Sequence, residues 1–164
     1  MLFRTLSYLK FLVRSTNQHG VHSPFVYHFV TRGLYRKKIE NNIFETYTSL
    51  KALRSKEKKV LSKIIHYFDI KTISFDLKGS IENIDKEYQL LYINVSDALI
   101  LSNLATLTSK QVIVIPGIHQ HKKKNTIWLE IIKKEEATVT IDLFYFGLIF
   151  IRKEQIKEHF NIRI

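Results

Sequence analysis

The sequence predicts an α/β domain, with a helical N-terminal region over residues 1–68 and an α/β core over residues 69–164. Two observations predict this class. Apolar residues in the first region recur at helical spacing, whereas later ones form short runs bounded by polar or turn residues. Two of these runs are separated by a segment long enough for a crossover helix, which implies parallel neighbours in one sheet. A chain of 164 residues that is 45% hydrophobic suits a single domain.

The first predicted helix covers residues 2–15 and is amphipathic. Its apolar side carries Leu2, Leu6, Leu9 and Val13. Its other side carries Arg4, Ser7, Lys10 and Arg14. We expect the apolar stripe to pack on the domain body or on a partner subunit, which would make the helix a route to an oligomer. The alternative is that the helix lies on an anionic membrane.

Two more helices are predicted before the core. Ser23 and Pro24 give a cap followed by proline at the first helical position, so a second helix begins there. A third helix is predicted from about Ser49 to Phe68, with apolar residues at helical spacing and a basic outer face.

Three apolar runs in the core predict parallel strands, at residues 71–77, 88–94 and 111–115, with a crossover helix over 96–109 between the last two. A helix is then predicted from about Thr126 to Lys134, with Trp128 directed inward. Residues 138–141 and 147–151 read as two final strands. Too few residues separate them for a parallel return, so they form an antiparallel hairpin.

The charge balance leaves two interpretations open. There are 26 Lys and Arg against 15 Asp and Glu, a net charge of +11, which attracts an anionic partner or simply reflects a lysine-rich composition. The absence of cysteine excludes disulfides and thiolate metal sites. The longest apolar run, residues 143–151, is about half of a membrane span, and basic residues interrupt the apolar N-terminus, so we expect no transmembrane segment and a cytoplasmic location.

Two sequence blocks carry a resemblance to a known family. The first is Asn17-Gln18-His19-Gly20-Val21-His22-Ser23-Pro24-Phe25-Val26. The second runs from Val139-Thr140-Ile141-Asp142 through Gly147-Leu148 and Arg152-Lys153-Glu154-Gln155 to Glu158-His159-Phe160, and Trp128 accompanies it. These blocks resemble a Bacteroidetes group of predicted class I methyltransferases that use S-adenosylmethionine. The resemblance covers roughly residues 1–40 and 110–164. It implies a Rossmann-like methyltransferase sheet, here reduced to about five strands, three parallel plus the antiparallel C-terminal hairpin.

The resemblance also implies where a cofactor site would lie. Such enzymes hold S-adenosylmethionine on a glycine-rich turn after the first strand. The matching positions give Asp76, Gly79, Ser80 and Asn94 as cofactor-binding candidates. Only Gly79 remains of the expected glycines, and residues 78–88 are too few for the family's second and third strands. Asn94 stands where relatives often carry Asp, and Pro116-Gly117 stands where an acidic pair is expected.

Other side chains that could carry chemistry give weaker signals. The grouped histidines His19, His22 and His28, and His119 with His121, offer no cysteine or carboxylate at a known ligand spacing, so we expect no metal. His119 is the additional cleft candidate, because ligands of open α/β sheets bind beyond the carboxyl ends of the strands. Residues 122–124 are three lysines that we interpret as a solvated loop. No Gly-x-Ser-x-Gly elbow supports a hydrolase.

Three functional hypotheses follow. The first is a methyltransferase-like protein with lost or weakened cofactor binding, a non-catalytic binding or assembly module. The second is an active methyltransferase with an atypical site at Asp76, Gly79, Ser80 and Asn94. The third is a basic binder of nucleic acid or of an anionic surface, using the third helix and residues 122–124. The sequence names neither a catalytic residue nor a methyl acceptor.

Overall fold

The structure is a computed structural model that describes residues 2–37, 43–76, 88–95 and 104–164. The chain divides into two compact units. The sheet unit comprises Met1–Thr16 and Lys71–Arg163. The helical unit comprises Asn17–Ile70, together with Ile164. Within the described residues, no helix combines the length and the apolar character that crossing a bilayer requires.

The first helix, α1, spans Leu2–Arg14 and belongs to the sheet unit. Its buried residues are Ser7 and Phe11, while Leu2, Leu6, Leu9 and Val13 are exposed. The apolar stripe therefore does not pack on the domain body, and its packing on a partner subunit stays a prediction. The inward face is instead set by the aromatic ring of Phe11 and by a buried hydrogen bond from Ser7.

In the helical unit, α2 spans Pro24–His28 and continues as a π-helix over Phe29–Leu34. The Ser23 side chain accepts a hydrogen bond from the Val26 N–H at 3.4 Å, which is the predicted cap. A six-residue π-helix is uncommon, because most π-turns are single bulges. Its last carbonyl, on Leu34, accepts a hydrogen bond from Lys63 Nζ at 2.6 Å. Burial lowers the pKa of Lys63, and nearby Lys59 adds to the effect.

The predicted third helix is not continuous. Three helices occupy this region: α3 over Ile43–Thr46, α4 over Thr48–Lys51 and α5 over Ser55–Tyr67. A new helix begins at Ser55 because the Glu57 carboxylate accepts a hydrogen bond from the Arg54 N–H at 2.8 Å. This local cap ends the preceding turn, although the apolar spacing runs through it.

The sheet has six strands in the order β1-β2-β3-β5-β4-β6. The strands are β1 Thr72–Ser74, β2 Gln89–Tyr92, β3 Gln111–Pro116, β4 Val139–Asp142, β5 Phe146–Phe150 and β6 Glu158–Asn161. The first three strands are parallel, as predicted. The predicted antiparallel hairpin of β4 and β5 is also present, and β5 pairs antiparallel with β3 on its other side. The chain is therefore a mixed α/β protein.

The predicted number of about five strands is wrong, because β6 adds a sixth. It lies at the sheet edge and pairs parallel with β4, Glu158 opposite Val139 and Asn161 opposite Asp142. Only one of its four residues, Phe160, is buried. An edge strand with a single buried residue has no apolar run that a sequence pattern could reveal.

One face of the sheet packs against α6, Lys122–Lys133, which buries Trp128 and Ile131 among Leu91, Ile93, Ile113, Ile115 and Ile149. This helix begins four residues before its predicted start. His121 caps it, since its Nδ1 accepts the Lys124 N–H at 3.4 Å. Of the predicted crossover helix, residues 96–103 lie outside the described residues, and Leu104–Thr106 form a 3₁₀ turn.

Two residues that carried the family resemblance are in direct contact. The Trp128 ring lies against β5 at Gly147, where an added Cβ would come within 2.7 Å of it. Both residues are fully within the core. A glycine is required here because the ring approaches the backbone closely. Backbone conformation is not the reason, since position 147 is an ordinary strand position with no positive φ.

Candidate functional site

Three of the site residues predicted from the sequence lie where the parallel strands of the sheet end. Asp76 follows β1, Asn94 follows β2 and His119 follows β3. These strands are parallel and adjacent, so their carboxyl ends share an edge, which is where open α/β sheets bind ligands. Gly79 and Ser80, the other two predicted cofactor residues, lie outside the described residues.

Asp76 and Asn94 are both exposed at the ends of neighbouring strands. The Ser74 hydroxyl donates a hydrogen bond to the backbone carbonyl of Asp76 at 2.9 Å, which shapes the turn after β1. Just before these residues, the ring of Phe75 meets the ring of Tyr92 edge-on, with centroids 5.8 Å apart. The exposed polar pair therefore follows a packed aromatic pair.

His119 has a different environment, because its side chain is buried and linked at both ring nitrogens. Ser7 Oγ lies 2.5 Å from His119 Nδ1, and His119 Nε2 lies 2.6 Å from Asp142 Oδ2. Ser7 comes from α1 and Asp142 is the last residue of β4, and both are buried. We call this chain of hydrogen bonds the Ser7–His119–Asp142 network. It connects α1 to the carboxyl edge of the sheet.

The other partners of His119 define the direction of these hydrogen bonds. The side-chain amide of Asn125 donates to the Ile118 carbonyl and to His119 Nδ1, both at 3.3 Å. Because Nδ1 accepts from Asn125, the ring hydrogen belongs on Nε2 and is donated to Asp142. The Ser7 hydroxyl then donates to Nδ1 as well. In this arrangement every polar atom of the imidazole has a partner.

Phe144, at the tip of the β4–β5 hairpin, completes the cluster. Its φ of 67° lies in the left-handed region, which is unfavourable for a bulky side chain. The Asp142 carboxylate accepts the Phe144 N–H at 2.8 Å, and the Phe144 ring stacks on His119 with centroids 5.0 Å apart. Tyr8 and Phe11 of α1 contact the same ring at 4.8 and 5.6 Å. These contacts hold the strained residue in place.

The chemistry available to this network follows from its geometry. Hydroxyl, imidazole and carboxylate stand in the order that nucleophilic hydrolases use. Ser7, however, lies in the middle of the 13-residue α1 rather than on a strand-to-helix turn. The surrounding backbone N–H groups are committed to helical hydrogen bonds, so they cannot stabilise an oxyanion. We interpret the network as the structural link that fixes α1 to the sheet.

Within the part of the chain that the structure describes, no group of three or more His, Asp or Glu side chains is placed to hold a metal ion. His19 lies in a short turn, where its backbone N–H donates to the Asn17 side chain at 3.0 Å. His121 caps α6. His159, on β6, bonds to Thr140 through Nδ1 at 2.9 Å. These three histidines thus have local structural roles.

The three lysines at 122–124 form the first turn of α6 and are not a loop, so that interpretation is wrong. Lys122 and Lys123 are exposed, and Lys124 donates to the Gln120 side chain at 3.0 Å. Positive charge at a helix N-terminus opposes the helix dipole. The positive charges of Lys122 and Lys123 therefore destabilise the first turn of α6.

A groove occurs at the opposite end of the strands, where the parallel strands begin. It is lined by Leu107, Thr108, Ser109, Ile151, Lys153 and Glu154. The first three precede β3 and the others follow β5, so the groove lies at the amino end of the parallel strands. This is not the edge at which ligands of α/β sheets bind.

Sequence reasoning identified His119 but missed its partners. Ser7 is an isolated polar residue on an amphipathic helix, and such residues ordinarily face solvent. Asp142 closes an otherwise apolar strand, which is a signal for a buried carboxylate that a single sequence does not distinguish from a turn residue. The left-handed conformation of Phe144 has no signal at all, because glycine or asparagine would be expected there.

No family model, curated protein or solved structure matches the chain.

Proposed function

We propose that this chain is a class I methyltransferase-like protein that has lost the binding of S-adenosylmethionine and serves as a non-catalytic binding or assembly module. The observation that carries the proposal is the sheet order. Three parallel strands are followed by a hairpin whose second strand, β5, inserts antiparallel between β3 and β4. Class I methyltransferases, as the sequence resemblance implies, end their sheet with such a hairpin.

The packing of the hairpin adds support. Trp128 and Gly147, both part of the resemblance, form the contact that sets α6 on the sheet. A pair that must change together is expected to persist when a site decays, because losing either residue disrupts the core. The fold can therefore be retained after cofactor binding is lost.

The loss of cofactor binding is supported at the carboxyl edge. Pro116 and Gly117, where an acidic pair is expected, offer no side-chain ligand, and Gly117 donates its N–H to the Tyr145 carbonyl at 2.9 Å. His119, two residues further on, has both ring nitrogens bonded within the chain. None of these three residues offers a free side-chain polar group to a nucleoside.

The competing proposal is an active enzyme with an atypical site, and the exposure of Asp76 and Asn94 on adjacent strands favours it. Calorimetric titration of the whole chain with S-adenosylmethionine and S-adenosylhomocysteine decides between the two. We expect no binding tighter than about 100 μM, or about −5.5 kcal/mol. Tighter binding would refute the loss of cofactor.

A control makes the titration specific. If binding is seen, Asp76→Ala should weaken it about tenfold when the atypical site is real. Glu136→Ala removes another exposed carboxylate, which precedes β4 and lies at the opposite end of the strands, and should leave the affinity unchanged. Equal effects of the two substitutions would mean that the ligand binds through charge alone.

The alternative of a basic binder of nucleic acid or an anionic surface is supported by exposed lysines in the two segments predicted for it, Lys56 and Lys59 of α5 and Lys122 and Lys123 of α6. It is tested by anisotropy with single-stranded and duplex DNA at rising salt. Binding through these lysines should fall by a log–log slope near the number of phosphates contacted, and Lys122→Gln should reduce that slope by about one. Absence of binding at low salt removes the role.

A further inference from the structure

The outer side of α1 presents a strip of apolar side chains to solvent. Leu2 is 75% exposed, Leu6 49%, Leu9 55% and Val13 87%. Their spacing of four, three and four residues keeps them on one line along the helix. The helix is about 20 Å long, so the strip extends over nearly its whole length.

This strip cannot be buried by turning α1 on the sheet. The inner side of the helix is fixed by the hydrogen bond from Ser7 to His119 and by the packing of Phe11 against Phe144. Rotation would break both contacts and would take from the buried His119 Nδ1 the closer of its two hydrogen-bond donors. The strip therefore stays outward while these contacts are made.

The charge beside the strip has one sign. Lys10 and Arg14 are exposed on α1, and Arg4 lies over the Phe144 ring at 5.9 Å. The first acidic residue in the sequence is Glu40, so residues 1–39 carry no negative side chain. A surface that covers the strip has to be apolar below and negative at its rim.

A second copy of the chain fits this requirement poorly. Two α1 helices packed through their strips, parallel or antiparallel, would place no acidic side chain of either helix opposite Lys10 and Arg14, because α1 has none. Four side chains are also few compared with the roughly 20–30 residues that a stable interface uses on each side. An anionic lipid surface offers acyl chains for the strip and phosphate groups for the lysine and arginine.

We propose that α1 is an in-plane membrane anchor, which lies on an anionic bilayer with Leu2, Leu6, Leu9 and Val13 inserted and with Lys10 and Arg14 at the headgroups. The rest of the sheet unit is then attached to the other side of the helix through the Ser7–His119–Asp142 network. The proposal does not depend on whether a cofactor binds.

The test is flotation of the whole chain with vesicles of phosphatidylcholine, with and without about 30% phosphatidylglycerol. We expect at least about tenfold stronger partitioning to the anionic vesicles, decreasing as salt rises from about 0.05 to about 0.5 M. The double variant Leu6→Glu with Leu9→Glu should lose at least about tenfold in partitioning, because it places charge at the inserted face. Lys10→Glu should weaken binding severalfold.

The matched controls use exposed apolar residues elsewhere in the sheet unit, Leu129 on α6, 50% exposed, and Ile156, 85% exposed. Leu129→Glu combined with Ile156→Glu introduces the same two negative charges as the double variant, and each single control introduces the same charge as one of its substitutions; all should retain binding. Circular dichroism and thermal unfolding confirm that each variant folds. No partitioning of the wild type, equal binding to neutral vesicles, or equal losses in the control variants would overturn the proposal. A dimer seen by light scattering, and dissolved by the Leu6 and Leu9 substitutions, would assign the strip to a second copy.

Discussion

Replacing Gly147 with alanine tests how the hairpin is held to α6. An added Cβ would lie 2.7 Å from Cζ3, 2.8 Å from Cη2 and 2.9 Å from Cε3 of the Trp128 ring. Favourable carbon–carbon contacts lie at about 3.5–4.0 Å, so ring and strand would have to separate by about 1 Å. Both residues are in the core, so neither moves without disturbing its neighbours.

The magnitude follows from two opposing effects. Overpacking a core costs about 1–3 kcal/mol, and a rigid ring against a central strand belongs at the upper end. Alanine is favoured over glycine in a strand by about 0.5–1 kcal/mol. We expect Gly147→Ala to lower the free energy of unfolding by about 2 kcal/mol. For a chain of this size that corresponds to a melting temperature about 4–8 °C lower.

Urea unfolding of a double-mutant cycle with Trp128→Leu measures the coupling. In the Trp128→Leu background the clash is removed, so Gly147→Ala should be neutral or stabilising by up to about 1 kcal/mol. Gly117→Ala is the matched control, because its penalty comes from a φ of 67° and should persist in that background. A cost of Gly147→Ala that is below about 0.5 kcal/mol, or that is unchanged by Trp128→Leu, would refute the close-approach argument.

Three further substitutions test the network, the hairpin tip and the helix start by the same unfolding measurement. Asp142→Ala leaves the buried His119 and Phe144 N–H groups without their acceptor and should cost about 2–5 kcal/mol, whereas Ser7→Ala should cost only about 1. A reversed ranking would contradict the assigned hydrogen-bond directions. Phe144→Gly should be about 1 kcal/mol more stable than Phe144→Ala, because both lack the ring but only alanine keeps the left-handed strain. Lys122→Glu should stabilise α6 by about 1 kcal/mol at low salt, with Lys133→Glu at the other end having the opposite sign. Similar effects at both ends would exclude the dipole as the cause.

The sequence predicted the sheet well wherever a strand was buried on both faces. Leu90, Ile113 and Leu148 belong to such strands, and their apolar runs leave few alternatives. It failed at β6 and at α1, where the structural choice depends on contacts between distant parts of the chain. For α1, four aliphatic residues at helical spacing gave the wrong inward face, because one aromatic ring and one buried hydrogen bond outweigh them.

The candidate site was also predictable only in part. Asp76 and Asn94 lie at the ends of apolar runs that predict strands, and His119 follows a third such run. The carboxyl ends of parallel strands lie side by side in a sheet, so sequence reasoning could bring these residues together. Sequence reasoning did not indicate that the His119 side chain is hydrogen-bonded to Ser7, which is 112 residues away in sequence. A hydrogen bond over that separation leaves no local pattern in the chain.

The sequence by itself determined that this is a basic α/β chain with parallel strands and a closing antiparallel hairpin, because local periodicity and short connections leave little choice. Only the tertiary structure decided which side of α1 faces inward, how His119 is bonded and why position 147 is glycine. Each of these depends on the shape and polarity of a neighbour that is remote in sequence. Such properties arise when the elements pack, since a close-packed core accepts only side chains that fit together.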